Sequence, residues 1–191
     1  MSFGLLTDVE AGRIEALAEW FLKEEKGTRL DDTLLERLVG KDESLISLKQ
    51  ITVTPFNGSL DEHLALEEGG YILSISETVP HLRGRLLIAK GIARLILNKY
   101  QFELGKEKAE DYIHGTDWTH RQNDEISFMA LCLMMPKTAF QKVVKEKALN
   151  HQNGRVNIEQ LAKEFNVSEQ NALQRGLSLG MFTKSHQISS K

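Results

Sequence analysis

At 191 residues the chain suits one domain, or one domain with a small appendage, and its 41% hydrophobic and 27% charged residues are ordinary for a globular protein. Its 24 basic and 27 acidic residues leave a formal charge of −3, which excludes a global nucleic-acid signature. No apolar run reaches the about 18 residues of a membrane span, no charged segment followed by an apolar one opens the chain, and the single cysteine excludes an intramolecular disulfide framework. These features place the expected location in the cytoplasm. Cys132 lies in an apolar run and reads as a buried, inert thiol.

In chain order, residues from about Thr7 to Lys26 form an amphipathic helix. Ile14, Leu17, Ala18, Phe21 and Leu22 recur at helical spacing, Thr7 or Asp8 caps the start and Gly27 ends it. A second helix runs from Asp31 to about Val39, with the acidic pair at its start and Gly40 after it. Leu48 to Thr54 alternates as a strand, and Pro55 with Asn57-Gly58 turns the chain. Leu60 to Leu66 fits neither period. Gly69-Gly70 precedes a second alternating strand, Tyr71 to Ser76, and Pro80 separates it from a long helix, Leu82 to Tyr100.

The stretch 101–121 is polar, has weak periodicity and reads as irregular or partly helical surface. Helix resumes at Asn123 to Met135, breaks at Pro136 and restarts through about Lys147. After a turn at Asn150 to Gly154, Asn157 caps a short helix to Phe165 and Ser168 caps another to about Leu179, closed by Gly180. The expected fold is α+β and mostly helical, with a small antiparallel or mixed sheet of about three strands packed on the long central helix. The expected units are a main domain, 1–150, and a C-terminal helix-turn-helix-like unit, 151–191, with a mobile tail from about residue 184.

Three segments, in order, carry a resemblance. Tyr71-Ile-Leu-Ser-Ile75 is followed by Arg83-Gly-Arg-Leu-Leu-Ile-Ala89, then come Glu125-Ile-Ser-Phe-Met-Ala-Leu-Cys-Leu-Met-Met-Pro136 and Ile158-Glu-Gln-Leu-Ala-Lys-Glu-Phe-Asn-Val-Ser168. Together they resemble the ImmA/IrrE family of small gluzincin-like metallopeptidases. In that family the first leads into a His-Glu-x-x-His helix, the second supplies an acidic residue that completes the metal site, and the third closes the domain. Two histidines four apart on one helix face grip zinc, and the glutamate takes a proton from the bound water.

Here Lys90-Gly91-Ile92-Ala93-Arg94 stands where that motif would be. An ammonium or guanidinium group has no lone pair for zinc, and glycine has no base. The resemblance therefore implies a metallopeptidase frame without its chemistry: not an enzyme, with no metal or other cofactor. Glu125, or a neighbour, would sit where the third ligand sits, free to pair with Lys90 or Arg94 and hold the helices together. Lys90 and Arg94 either make the former zinc cleft basic, suited to an acidic partner segment, or pair with acidic neighbours inside the protein. None of the six histidines forms a His-x-x-x-His pair, and His114, Asp117 and His120 read as solvated side chains rather than a replacement metal site.

The C-terminal helices also fit a helix-turn-helix pattern, in which Gln170, Asn171, Gln174 and Arg175 would face DNA. With one cation on that helix, packing against the main domain is the favoured reading and DNA binding the runner-up. Family members often lie beside helix-turn-helix repressors in prophages and mobile elements. The resemblance thus implies a non-catalytic pseudo-protease that regulates transcription by binding such a repressor. The alternatives are a DNA-binding regulator, a toxin–antitoxin component, and a peptidase with a rearranged site.

Overall fold

A computed structural model describes residues 5–41, 44–55, 61–113, 118–150 and 155–182. Helix α1, Asp8–Glu24, starts at a capping box in which the Thr7 side chain accepts from the Glu10 N–H and the Glu10 carboxylate accepts from the Thr7 N–H. Its buried face is Ile14, Leu17, Ala18, Phe21 and Leu22, the residues that the sequence spaces at helical intervals. Helix α2, Asp32–Leu38, is capped by the Asp31 carboxylate and turns Leu34 and Leu38 into the core.

The sheet holds three strands, β1 (Leu48–Thr54), β2 (Glu62–Glu67) and β3 (Gly70–Ser76), in the order β1-β3-β2. β3 runs parallel to β1 and antiparallel to β2, so the sheet is mixed and β2 is an edge. β2 is the segment that fitted neither period. Glutamate, histidine and alanine are indifferent strand formers, and pairing with β3 decides its conformation. Leu64 lies opposite Leu73, and both are buried on the face toward the helices. On the other face, Thr52 and Ser74 hydroxyls meet across the parallel pair at 2.9 Å.

Helix α3, His81–Tyr100, begins after Pro80 and packs on both β3 and the next helix, α4. Ala89, Ile92, Ala93, Ile96 and Leu97 line its buried side. Helix α4, His120–Met134, starts three residues before Asn123 because Thr119 and Gln122 form a second capping box. Nearly all of its second half is buried, including Cys132, whose thiol burial pushes to higher pKa. Pro136 precedes helix α5, Lys137–Val143, and the expected continuation to Lys147 is instead a π-helical turn at Val144–Ala148.

A two-residue ladder, β4 (Leu149–Asn150) with β5 (Arg155–Val156), leads to helices α6 (Ile158–Phe165) and α7 (Glu169–Ser178), capped by Asn157 and Ser168. Phe140 of α5 stacks on Phe165 at 5.6 Å and approaches Phe182 at 6.2 Å, which seats the C-terminal helices on α5. The expected mobile tail from about residue 184 lies outside the described residues. The fold is α+β, as the sequence implies.

The β2–β3 turn puts Gly70 at φ +136°, with Ser47 O 2.3 Å from where a Cβ would stand. Both the dihedral and the backbone oxygen exclude a side chain. Gly70→Ala is expected to destabilise the protein by at least about 2 kcal/mol, measured as a lower urea midpoint at unchanged slope.

Candidate functional site

The positions that would carry zinc chemistry lie on α3 over the sheet. Gly91 is buried, and a Cβ there would fall 2.7 Å from the Leu73 side chain, so helix and strand meet here without room for a substituent. One turn on, Arg94 is only 4% exposed. Its Nε donates to Tyr112 O at 2.9 Å, its Nη2 to Ile113 O at 2.7 Å and its Nη1 to Glu62 Oε1 at 3.4 Å. Its guanidinium also lies over the Trp118 ring, 4.3 Å from the centroid. All three nitrogens have oxygen partners and one face has an aromatic partner, an arrangement a planar guanidinium suits and an ammonium does not.

Glu62 reaches Arg94 from edge strand β2, opposite Ile75. Burial is the main influence on its carboxyl and raises its pKa, against the opposing pull of Arg94 and Lys90. One carboxylate oxygen, Oε2, is buried without a hydrogen bond among the described residues. Lys90 is half-buried beside this pair, and burial lowers its pKa while Glu62 works the other way.

Glu125 is 2% exposed on α4 and belongs to a second cluster. Lys106 Nζ donates to both carboxylate oxygens at 3.0 Å, the Tyr112 hydroxyl donates to Oε2, and Arg121 Nε lies 3.5 Å from Oε1. Lys106 also pairs with Glu110 at 2.9 Å. The expectation that Glu125 pairs with Lys90 or Arg94 is therefore corrected: Arg94 takes Glu62, and Glu125 takes Lys106, Tyr112 and Arg121. Burial, followed by Glu125, holds the Tyr112 phenol above its ordinary pKa, so it stays a hydrogen-bond donor.

One segment joins the two clusters. Residues 101–113 leave α3, cross beside α4 and present Lys106 and the Tyr112 hydroxyl to Glu125 and two successive carbonyls to Arg94. The sequence reads this stretch as surface, whereas Leu104, Tyr112 and Ile113 are buried. Their signal in the sequence is faint: three apolar residues among charges, with no period to orient them. Tyr112, Lys106, Trp118 and Glu62 are the site residues that sequence reasoning did not find. His114 and Asp117 lie outside the described residues, and among those described no group of three or more His, Cys, Asp or Glu is placed to hold a metal ion.

The residues considered for DNA contact divide. Gln170 is exposed, and Asn171 and Gln174 are half-buried. Arg175 is fully enclosed, donating from Nε to Met135 O at 2.8 Å and from Nη2 to Glu15 of α1, and its guanidinium lies 5.8 Å from the Phe128 ring centroid. Its assignment as a DNA contact is corrected: it ties α7 to α1 and to the end of α4. The partner carboxylate lies 160 residues away in sequence, which is why the local pattern did not reveal it.

Residues 49–176, from the second residue of β1 into α7, match the family described as the IrrE N-terminal-like domain. No curated protein matches the chain.

Two outcomes test the geometry. Arg94→Met strands Glu62 in a low-dielectric setting and is expected to cost about 3–5 kcal/mol in urea unfolding, while Arg94→Met with Glu62→Leu recovers most of it. The raised pKa of Glu62 means that the folded state holds this proton more tightly than the unfolded state does. Its contribution is full below the unfolded value near 4.5 and is lost as pH rises through the folded value. The stability of the wild type minus that of Glu62→Gln should therefore fall as pH increases above about 4.5.

Proposed function

Since the chain belongs to the IrrE N-terminal-like domain family, we propose that it is a non-catalytic regulatory member that acts by binding another protein. The carrying observation is the state of position 94, where every nitrogen of a buried guanidinium is hydrogen-bonded inside the protein. Four features support the reading together. No zinc-ligand type stands at positions 90 or 94, no base stands at 91, and Leu73 fills the space beside Gly91. Glu125, the acidic residue that the resemblance puts at the metal, is paired with a lysine and an arginine and accepts a hydrogen bond from a phenol.

The partner class is a helix-turn-helix repressor or similar regulator, in a prophage or mobile-element setting and in the cytoplasm. The enclosure of Arg94 changes how such a partner engages. Arg94 is already satisfied, so an acidic segment of the partner meets Lys90, the cation of this face that remains half-exposed. DNA binding through α7 loses its one cation to the interior, which leaves Gln170 as the exposed base-reading side chain.

The purified full chain is expected to contain no stoichiometric zinc by elemental analysis and to leave repressor-like substrates uncut. Zinc that is removable together with peptidase activity would refute the reading. In affinity capture from the native host, the wild type should retain a helix-turn-helix regulator and Lys90→Glu should lose it. Equal retention by both removes Lys90 from the interface. A salt-sensitive gel shift abolished by Gln170→Ala would move the function to DNA.

A further inference from the structure

Helix α1 lies outside the residues that match the family, and one of its faces points to solvent. Val9, Gly12, Ala16, Trp20 and Lys23 follow one another three or four residues apart, so they share one stripe of the helix, and all five are exposed. Val9 is 65% exposed and Trp20 38%. A Cβ on Gly12 would meet nothing within 4 Å, so the middle of the stripe is open. The segment after α3 borders it. The Trp20 ring meets Tyr100 edge-on at 5.0 Å, Arg13 Nη1 donates to Leu104 O at 2.8 Å, and Phe102, between those two anchors in the chain, is 61% exposed. Asp8 and Glu19 flank the stripe on one side, Arg13 and Glu24 on the other. Neither these four nor Lys23 forms an ion pair with another described residue.

We propose that a second copy of the chain docks on this face, α1 against α1 in opposite directions about a two-fold axis at Ala16. The order of the charges selects that occupant. The face carries both signs, so no partner of a single sign complements it, whereas a reversed copy of itself does. Asp8 stands eight residues before the axis and Lys23 seven after it, on the same flank. With a rise of about 1.5 Å per residue, each comes level with the other in the opposite copy. Arg13, three before, comes level in the same way with Trp20, four after, where a guanidinium over an indole face is attractive. Each contact occurs twice. Val9 meets the aliphatic stem of Lys23, and the open stretch from Gly12 to Ala16 lets the two helices approach. Glu24 is level with Asp8 of the other copy but on the opposite flank. A parallel pair would instead set Asp8, Arg13 and Glu19 each against its own like. One helix and Phe102 from each copy make a small interface, so the dimer is a weak and reversible one. The surface shares no residue with the α3 face that carries Lys90.

The test is sedimentation equilibrium of the full chain from about 1 μM to 1 mM. The wild type should move from the mass of one chain towards that of two across this range. Lys23→Glu and Asp8→Lys should each weaken dimerisation about tenfold, because each reversal acts at two symmetric contacts, and the two together should return the Kd to within about threefold of the wild type. Asp8 and Lys23 also suit the ends of their helix, so Val9→Ser is the second variant. It must weaken dimerisation about tenfold at an unchanged urea midpoint. The mass of a single chain at every concentration, an unchanged Kd in Lys23→Glu or Val9→Ser, or a double variant no tighter than the single ones would overturn the assignment.

Discussion

The structure depends on keeping one positive charge inside. Arg94 sits in a setting where an unpaired guanidinium would be several kcal/mol unfavourable, and three separate parts of the chain converge to hold it. Edge strand β2 supplies a carboxylate, the segment after α3 supplies two carbonyls, and Trp118 supplies an aromatic face. None of these groups is close to Arg94 in sequence, so satisfying it fixes how sheet, α3 and α4 meet. The demand also explains why a polar, aperiodic segment has one defined path. Its main-chain oxygens have a buried cation to serve, and its lysine and tyrosine have a buried carboxylate.

The Glu125 cluster is the mirror case, a buried anion met by donors. The two clusters share Tyr112, whose carbonyl serves the cation and whose hydroxyl serves the anion. Displacing that one residue would leave both charges under-satisfied, a cost felt on α3 and α4 together. The convergence of these elements is thus held by buried charges of both signs.

Much of the fold could be read from the sequence because its determinants are local. Thr7, Asp31, Asn157 and Ser168 each cap the helix they announce, and β1 has the boundaries that its alternation and Pro55 imply. What escaped depended on distant partners. β2 is a strand because β3 is beside it. Arg175 looks like a surface cation until Glu15 arrives from 160 residues away, and the carboxylate that meets Arg94, Glu62, lies 32 residues upstream. The reach of residues 101–113 to Arg94 was not legible, since charge satisfaction leaves no periodic trace.

The contact between Gly91 and Leu73 has a consequence for which side chains the helix accepts. Leu73 is fully buried, and the absence of a Cβ at position 91 lets the strand sit against the helix. A larger side chain at 91 would force the Leu73 methyls to move inside a packed core, and a shorter one at 94 would leave Glu62 and two carbonyls without their donor. Two neighbouring positions of α3 are thus closed to drift, while its exposed first turn stays open to it.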